Sequence, residues 1–293
     1  MTGISELRGT AVAWRRPIAE FIAALAADDR ITFTEVVAEN VRPDRLPTEL
    51  TALRRAGVAI VPHGVTLGLA DASRPDADRL QHLADLAEAL DSPVISEHVA
   101  FVRGAATPDP LHGDVLEAGH LLPPPRTRDS LAVLVENVRE AQQALPRPLA
   151  VENIAALMSW PEDELDEPDF LTELVDRTGV HLVLDVANLY ASATARGTDP
   201  AAELARFPLE QVAYVHVAGG TERDGLYLDT HAHPVRDEVT ALVTLLTSTY
   251  ADRCLPLPGI MLERDADITA AAVSSDLDRI NTAVAQGVSH AHA

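Results

Sequence analysis

The chain has 293 residues, 47% of them hydrophobic, and its 45 acidic and 23 basic residues give a formal net charge of −22 at pH 7. This surplus of acid argues against broad contact with nucleic acid or an anionic membrane, because a basic surface supplies the affinity in both cases. Every basic residue is an arginine, so chemistry that needs a lysine, such as Schiff-base formation, is excluded.

Strand-like and helix-like segments alternate along the whole chain. The strand-like segments are short, rich in Val, Ile and Leu, and not cleanly alternating, which is typical of strands buried on both faces. We predict strands at 9–14, 32–39, 58–62, 93–97, 148–152, 181–186, 211–217 and 259–263. Amphipathic segments predict helices at 17–28, 45–56, 76–90, 128–144, 168–178, 200–206, 235–249 and 268–285.

Eight strands, each followed by a helix, predict an α/β fold built as a single (β/α)8 TIM barrel. No linker or shift in composition divides the chain, so we predict one domain over residues 1–293, with a core at about 9–285 and a tail at 286–293. Residues 101–127, which include His112 and His120, are longer than a usual loop of this fold and predict a lid or rim loop.

The sequence carries no sign of secretion or membrane insertion. The N-terminus lacks the apolar region of a signal peptide, and no apolar stretch is long enough to span a bilayer. The one cysteine, Cys254, excludes an intrachain disulfide and a cysteine-based zinc site. We therefore expect a cytoplasmic protein that binds neither membrane nor nucleic acid.

Residues able to bind a metal stand at or just after the ends of six consecutive predicted strands. Active sites of TIM barrels lie at the C-terminal ends of the strands, so these side chains should converge. Burying so many unpaired charges is costly, and a multivalent cation would explain them. The set is His63, His98, Glu152 with Asn153, Asp185 with Asn188, His216, Asp229 with His231 and His233, and Glu263.

Imidazole and carboxylate ligands suit zinc, iron or manganese. One zinc needs three or four protein ligands, so this set is large enough for two or three ions, with a carboxylate such as Glu152 able to bridge. Asp229, His231 and His233 occupy alternate positions, which would project to the same side of an extended segment. The chain has no nucleophile elbow, phosphate loop or dinucleotide fingerprint.

These motifs, in this order and spacing, resemble the multinuclear non-haem iron-dependent oxidative enzymes, a family whose best-known members modify cysteines in ribosomally made precursor peptides, as in methanobactin biosynthesis. The resemblance runs from about Gly9 to Asp267. The strings that carry it are HGVTLGLA, ISEHVAF, LAVEN, LVLDVANLYASA, VHVAGG, LDTHAHP and MLERDAD.

The resemblance implies three ion sites, in a layout shared with the wider xylose-isomerase-like barrels and their trinuclear zinc repair endonucleases. Asn188 stands where those endonucleases have histidine, which favours the iron family. As a weak neutral ligand, Asn188 would leave its ion the least saturated, so its set is expected to be catalytic. The implied sets are His63, His98 and Glu152; Glu152 as bridge with Asp185, His216 and Glu263; and Asn188, Asp229 and His231.

Three further residues are expected beside the ligands: Asn153, His233 and Arg264. His233 is also an alternative ligand, and Arg264 is a candidate partner for a peptide carboxylate, with a salt bridge to Asp265 or Asp267 as the other interpretation. The chain departs from the usual family pattern at Ala187, at Ile154 and Ala155, and at Arg264. None of these changes removes an implied ligand, but they reshape the pocket wall.

The resemblance implies an iron-dependent oxidase with two or three iron ions (Fe2+/Fe3+) and O2 as co-substrate. Its substrate would be a cysteine-containing precursor peptide. A separate partner protein would recognise the leader of that peptide, since the chain has no evident spare length for such a domain.

Two other enzyme classes remain open on the same barrel. One is a sugar isomerase or epimerase with an acid/base pair such as Glu152 and Glu263, although the lack of lysine counts against it. The other is a trinuclear-zinc phosphodiesterase, which would need a basic groove. A non-enzymatic metal-binding role is the remaining alternative.

Overall fold

Eight parallel strands, with helices between them, form one nearly closed barrel. The structure is a computed structural model and describes residues 3–105 and 115–290. In chain order the strands are β1 (Thr10–Val12), β2 (Phe33–Val37), β3 (Ala59–His63), β4 (Ile95–His98), β5 (Phe101–Ala105), β6 (Val115–Leu122), β7 (Leu149–Glu152), β8 (His181–Asp185), β9 (Val212–Ala218), β10 (Thr221–Arg223), β11 (Leu226–Leu228) and β12 (Gly259–Glu263). The helices are α1 (Ala19–Ala27), α2 (Thr48–Arg55), α3 (Ala77–Leu90), α4 (Arg128–Ala144), α5 (Glu167–Thr178), α6 (Val186–Arg196), α7 (Pro200–Leu204), α8 (Asp237–Asp252) and α9 (Ala270–His290).

The barrel sheet runs in the order β1, β12, β9, β8, β7, β4, β3, β2. Hydrogen bonds between the first and last strands of this order bring the barrel close to closure. The backbone N–H of Trp14 donates to the carbonyl of Glu35 at 2.7 Å. The Thr34 hydroxyl donates to the carbonyl of Val12 at 2.6 Å. The predicted TIM barrel, with all eight predicted strands, is confirmed.

One helix, α6, was not among the predicted helices. It begins directly after β8 because the Asp185 carboxylate accepts a hydrogen bond from the backbone N–H of Asn188 at 2.7 Å and so caps the helix. It ends at Gly197, which adopts the left-handed conformation that favours glycine. The short α7 follows, capped by Asp199 with Pro200 in its first turn, and lies within the predicted helix at 200–206.

Two antiparallel hairpins rise from the barrel. The first pairs β5 with β6, so within the predicted rim loop 101–127 residues 101–105 and 115–122 are strands; residues 106–114, with His112, lie outside the described residues. The second, β10 with β11, was not predicted. Its turn holds Asp224 and Gly225, both at positive φ, and an Asp-Gly pair is a strong hairpin signal.

The longest described helix, α9, carries the chain to His290. Residues 286–290, which the sequence analysis assigned to a tail, therefore belong to this helix, while residues 291–293 lie outside the described part of the chain. Within residues 3–105 and 115–290, no helix combines the length and apolar character needed to cross a membrane.

Candidate metal centre

The predicted ligands lie at the carboxyl ends of the barrel strands. His63, His98, Glu152, Asp185 and Glu263 are the last residues of β3, β4, β7, β8 and β12. His216 lies within β9. All six are at most 7% exposed. The fold thus brings together side chains that are far apart in the sequence.

Side-chain alternation along the strands explains why these residues face the barrel interior. A small apolar cluster includes Val61, Ala150, Val183, Tyr214 and Met261, one residue from each of five strands. In a strand, residues two apart point to the same face of the sheet. The residue two positions after each of these five is a predicted ligand, so the layer of ligands lies directly above this apolar layer.

The first group of candidate ligands consists of His63, His98 and Glu152. Glu152 Oε2 lies 3.4 Å from His63 Nε2 and 3.5 Å from His98 Nε2. The two imidazole Nε2 atoms are 3.3 Å apart. His98 Nδ1 lies 3.0 Å from the carbonyl of Gly64 and can only donate there, which leaves Nε2 as the ligand atom.

The second group shares Glu152 with the first and adds Asp185, His216 and Glu263. His216 Nδ1 lies 3.2 Å from Glu152 Oε2 and 3.2 Å from Glu263 Oε2. One carboxylate oxygen of Glu152 therefore faces imidazole nitrogens of both groups, which is the position of a bridging ligand between two neighbouring ions.

Unsatisfied polar atoms support metal binding at this position. Glu152 Oε2, Asp185 Oδ2, His216 Nδ1 and Asp229 Oδ1 are buried and have no hydrogen-bond partner among the described residues. Such atoms are rare in folded proteins because each one costs the free energy of its lost hydration. Glu152, Asp185 and His216 belong to one group, so a single cation among them would satisfy three of these atoms, and their nitrogen and oxygen donors suit zinc, manganese or iron.

The third predicted set is Asn188, Asp229 and His231. The Asn188 side-chain amide donates to the carbonyl of Asn153 at 3.0 Å and lies 3.4 Å from Glu152 Oε1. Asp229 Oδ2 lies 2.5 Å from His231 Nε2. Asn188 thus borders the bridging glutamate, and Asp229 and His231 form a contacting pair on the same cavity.

The segment that holds Asp229, His231 and His233 is not extended, so the geometric argument made for it from the sequence is wrong. His231 has a φ of +51°, in the left-handed region, and this turn breaks the alternation of side chains. His233 is exposed, with Nδ1 3.0 Å from the Thr230 hydroxyl rather than near the buried ligands. Asp229 and His231 meet through the turn and not through strand periodicity.

Arg264 does not reach the cavity, and neither interpretation from the sequence holds. Its Nη1 donates to Asp276 Oδ2 at 2.9 Å, in an ion pair whose side chains are 7% and 2% exposed. Its Nε lies 3.2 Å from the carbonyl of Ala266 and 3.3 Å from that of Asp267. Arg264 therefore anchors the loop after β12 to α9, since a buried guanidinium needs such partners.

Asn153 has a structural role beside the ligands. Its side-chain amide donates to the carbonyl of Asp185 at 2.9 Å, and its side-chain carbonyl accepts from the backbone N–H of Asp185 at 2.9 Å. This reciprocal pair joins the ends of β7 and β8, and so holds the ligands Glu152 and Asp185 in register.

Sequence reasoning missed a cation and a carboxylate on the rim of the centre. Arg15 Nε donates to Asp265 Oδ1 at 2.7 Å, and Arg15 Nη2 lies 3.5 Å from Glu263 Oε1. Asp265 Oδ2 lies 3.1 Å from His231 Nδ1. These contacts orient Glu263 and His231, but no local motif marks Arg15, because its partners are some 250 residues away in the chain.

The pKa values of two acids in the centre are shifted in opposite directions. Burial raises the pKa of Asp185 well above its usual range, and the neighbouring charges of Asp229 and Glu152 raise it further. Burial acts in the same way on Glu263, but the nearby histidines, His216 first, outweigh it and hold the pKa of Glu263 well below its usual range. In the metal-free protein, histidine charges thus take the place of a cation beside Glu263.

Metal affinity should rise with pH up to about pH 9. Burial lowers the pKa of His98, but the Glu152 carboxylate and Glu97 outweigh it and raise that pKa to about 9. Below this value the incoming ion must displace a proton from His98, and the pKa values of His216 and His231 are raised as well, so affinity should fall by at least about tenfold for each pH unit. Zn2+ titrations between pH 7 and pH 9 measure the slope, and a flat profile would contradict this assignment.

The raised pKa of His98 also makes the free energy of unfolding of the metal-free protein depend on pH. The histidine binds its proton more tightly in the folded state than in the unfolded state, where its pKa is about 6.5. This contribution to stability is complete below pH 6.5 and is lost as the pH rises through about 9.

A cavity of about 450 Å³ opens above the ligands. Its described lining contains no arginine, and Arg15, Arg103 and Arg126 are each engaged by an acidic side chain. The candidate ligands His98, Glu152, Asn188, Asp229 and His231 line the cavity. The other lining residues are His120, Leu121, Ile154, Ala155, Leu157, Leu228, Thr230 and Asp265.

Comparison with known proteins identifies relatives over most of the chain. A family model described as "RiPP precursor modification enzyme MbnB/TglH/ChrH" matches residues 9–285. A UPF0276 protein of Streptomyces avermitilis is 56% identical over 259 residues, which are 88% of this chain and 51% of that protein, so the chain spans about half the length of this relative. A UPF0276 protein of Caulobacter vibrioides is 36% identical over 272 residues, covering 90% of this chain and 91% of that protein.

Solved structures with this barrel are more distant in sequence. Endonuclease IV from Thermus thermophilus matches with a TM-score of 0.57 and 19% identity, covering 95% of this chain and 98% of that chain. An L-ribulose 3-epimerase matches with a TM-score of 0.53 and 13% identity, covering 99% and 94%. A xylose isomerase-like TIM barrel protein from Mycobacterium smegmatis has a TM-score of 0.54 and 13% identity, covering 98% and 100%. These similarities establish the fold alone.

Proposed function

Because the chain belongs to the MbnB/TglH/ChrH family of RiPP precursor modification enzymes, we propose that it oxidises a cysteine of a ribosomally made precursor peptide with iron and O2. The active form would hold two or three iron ions. A separate polypeptide would recognise the leader of the peptide. The family supports a precursor peptide as the substrate, whereas the cysteine, the metal and the oxidant are our proposal.

The shared position of Glu152 is the observation that carries this proposal. Its Oε2 atom lies within 3.5 Å of imidazole nitrogens from both metal groups. Two ions bound there would be neighbours, and a substrate atom above them could contact both. Nitrogen and oxygen ligands without a cysteine suit iron that changes oxidation state.

The residues of the chain prepare the site for a thiol substrate. Bound iron would supply the redox chemistry and the affinity for a deprotonated cysteine sulfur. Asn188, a neutral side chain bordering Glu152, would leave room at its ion for a further ligand. The apolar side chains of Leu121, Ile154 and Leu228 line the cavity and would exclude water from the sulfur.

The charges around the cavity disfavour a phosphodiesterase. A phosphate substrate needs cations, and the described residues of the cavity lining include no arginine or lysine. Residues 106–114, which lie outside the described residues, also contain neither in the sequence. The likeness to endonuclease IV therefore supports a common barrel rather than a common substrate.

A sugar epimerase is the second candidate, because the barrel resembles that of an L-ribulose 3-epimerase. The group of Glu152, Asp185, His216 and Glu263 alone would suit one divalent ion. In that arrangement both glutamates would bind the ion, and each would have to move a proton with its other carboxylate oxygen. The additional group of His63 and His98 has no evident use with one ion, which counts against this candidate.

The proposal is tested by co-expressing the chain with a short cysteine-containing precursor peptide and a candidate leader-binding protein. We expect a mass change in the peptide that requires O2 and iron-loaded protein, and that is lost when the peptide cysteine is replaced by serine. A change that persists in the serine peptide, or without O2, would contradict the proposed reaction.

A further inference from the structure

A buried carboxylate, Glu35, lies directly beneath the two metal groups. It belongs to β2, is 1% exposed, and was not among the residues singled out from the sequence. It follows Phe33 of the interior apolar cluster by two positions, so it faces the barrel interior like the ligands. It ends no strand, which is why a search for polar strand ends does not find it.

Glu35 is the acceptor for one ligand histidine directly. Its Oε2 lies 3.0 Å from His216 Nε2, on the side of the ring opposite the metal-facing Nδ1. A carboxylate can only accept here, so Nε2 carries the proton and Nδ1 keeps its lone pair for a metal. The contact fixes both the tautomer and the orientation of the His216 ring.

A chain of hydroxyl groups connects the same carboxylate to a second ligand histidine. The Tyr214 hydroxyl donates to Glu35 Oε2. Since that hydroxyl has one proton, the 2.8 Å contact between Tyr214 and Ser96 must have the Ser96 hydroxyl as donor. His63 Nδ1 then donates to Ser96 Oγ at 2.9 Å, which leaves His63 Nε2 for a metal.

We infer that Glu35 is a positioning residue of the metal centre, which sets the tautomers of His216 and, through Tyr214 and Ser96, of His63. His216 and Tyr214 donate protons to Glu35 itself, and His63 and Ser96 donate along the chain that leads to it. The two histidines belong to different metal groups, so a single side chain prepares both. A carboxylate that orients a ligand histidine in this way also makes its free ring nitrogen more basic, and therefore a stronger metal ligand. This role rests on the metal centre of the proposed function but not on iron or on O2.

The test measures Co2+ affinity in a background that isolates one group. A His98→Ala/His231→Ala protein keeps Glu152, Asp185, His216 and Glu263, and its Co2+ binding is followed by visible absorption. Adding Glu35→Ala should weaken this binding by about 10- to 100-fold. Glu35→Gln should lose less, because its carbonyl oxygen still accepts from His216. Tyr214→Phe should cost less than Glu35→Ala, because it removes the branch to His63 and one donor to Glu35 but leaves Glu35 as the acceptor for His216.

Matched controls separate this role from a loss of folding or of the whole centre. Glu167→Gln changes another buried glutamate, 7% exposed and outside both metal groups, and should leave Co2+ affinity unchanged. Circular dichroism checks that each variant is folded. Unchanged affinity in folded Glu35→Ala would overturn the positioning role alone. Absence of Co2+ binding to the wild-type chain would overturn the metal centre, and this role with it.

Discussion

Replacing Glu152 with Ala should deplete both buried metal groups. Its Oε2 atom faces His63 and His98 on one side and His216 on the other, at 3.2 to 3.5 Å. Without it the first group keeps only two histidines, fewer than a stable site needs, and the second keeps Asp185, His216 and Glu263, the minimum of three. Elemental analysis of protein purified without O2 should show that the first ion is lost and the second is bound more weakly, and peptide oxidation should be abolished.

The control for this experiment is the buried Glu167, which pairs with Arg196 at 3.7 Å away from the centre. Glu167→Gln should keep the wild-type metal content, and thermal unfolding of both variants would show whether the barrel remains intact. Unchanged metal occupancy of either group in a folded Glu152→Ala protein would mean that the two groups do not share this carboxylate.

Replacing both Asp229 and His231 with Ala should remove the third ion and leave the two ions of the groups that contain Glu152. These residues contact each other at 2.5 Å and lie outside the two buried groups. The remaining ions keep all their ligands, so their affinity should change little. Oxidation of the peptide should still be lost, because this set is expected to hold the ion that is least saturated by protein ligands.

His233 offers a matched control from the same segment. Its imidazole is exposed and contacts Thr230 rather than the buried ligands, so His233→Ala should retain every ion and most of the activity. If the Asp229→Ala/His231→Ala protein keeps three ions, these two residues do not form a metal site. If His233→Ala loses one, His233 is a ligand.

The sequence was sufficient to predict the barrel and the ligands that end its strands. Short runs of buried strand residues and amphipathic helices alternate eight times, and the parallel order confirms that pattern. Because parallel strands of a barrel end at one face, His63, His98, Glu152, Asp185 and Glu263 could be expected to converge. The family resemblance is confirmed by the match over residues 9–285.

Features that depend on turns and on distant contacts could not be predicted in this way. The left-handed turn at His231 separates His233 from the centre, although their spacing suggested a common side. Arg264 pairs with Asp276, twelve positions later on α9, because burial requires a partner that the sequence does not mark. Glu35 lies mid-strand, where its inward direction becomes evident only once the strand register is known.

The metal content of the protein purified without O2 tests the central claim most directly. We expect two or three iron ions per chain by elemental analysis, held by the groups that share Glu152 and by the set that includes Asp229. Stoichiometric zinc with no iron, retained after reconstitution with Fe2+, would contradict an iron-dependent oxidase. It would favour a hydrolase or an isomerase with this fold.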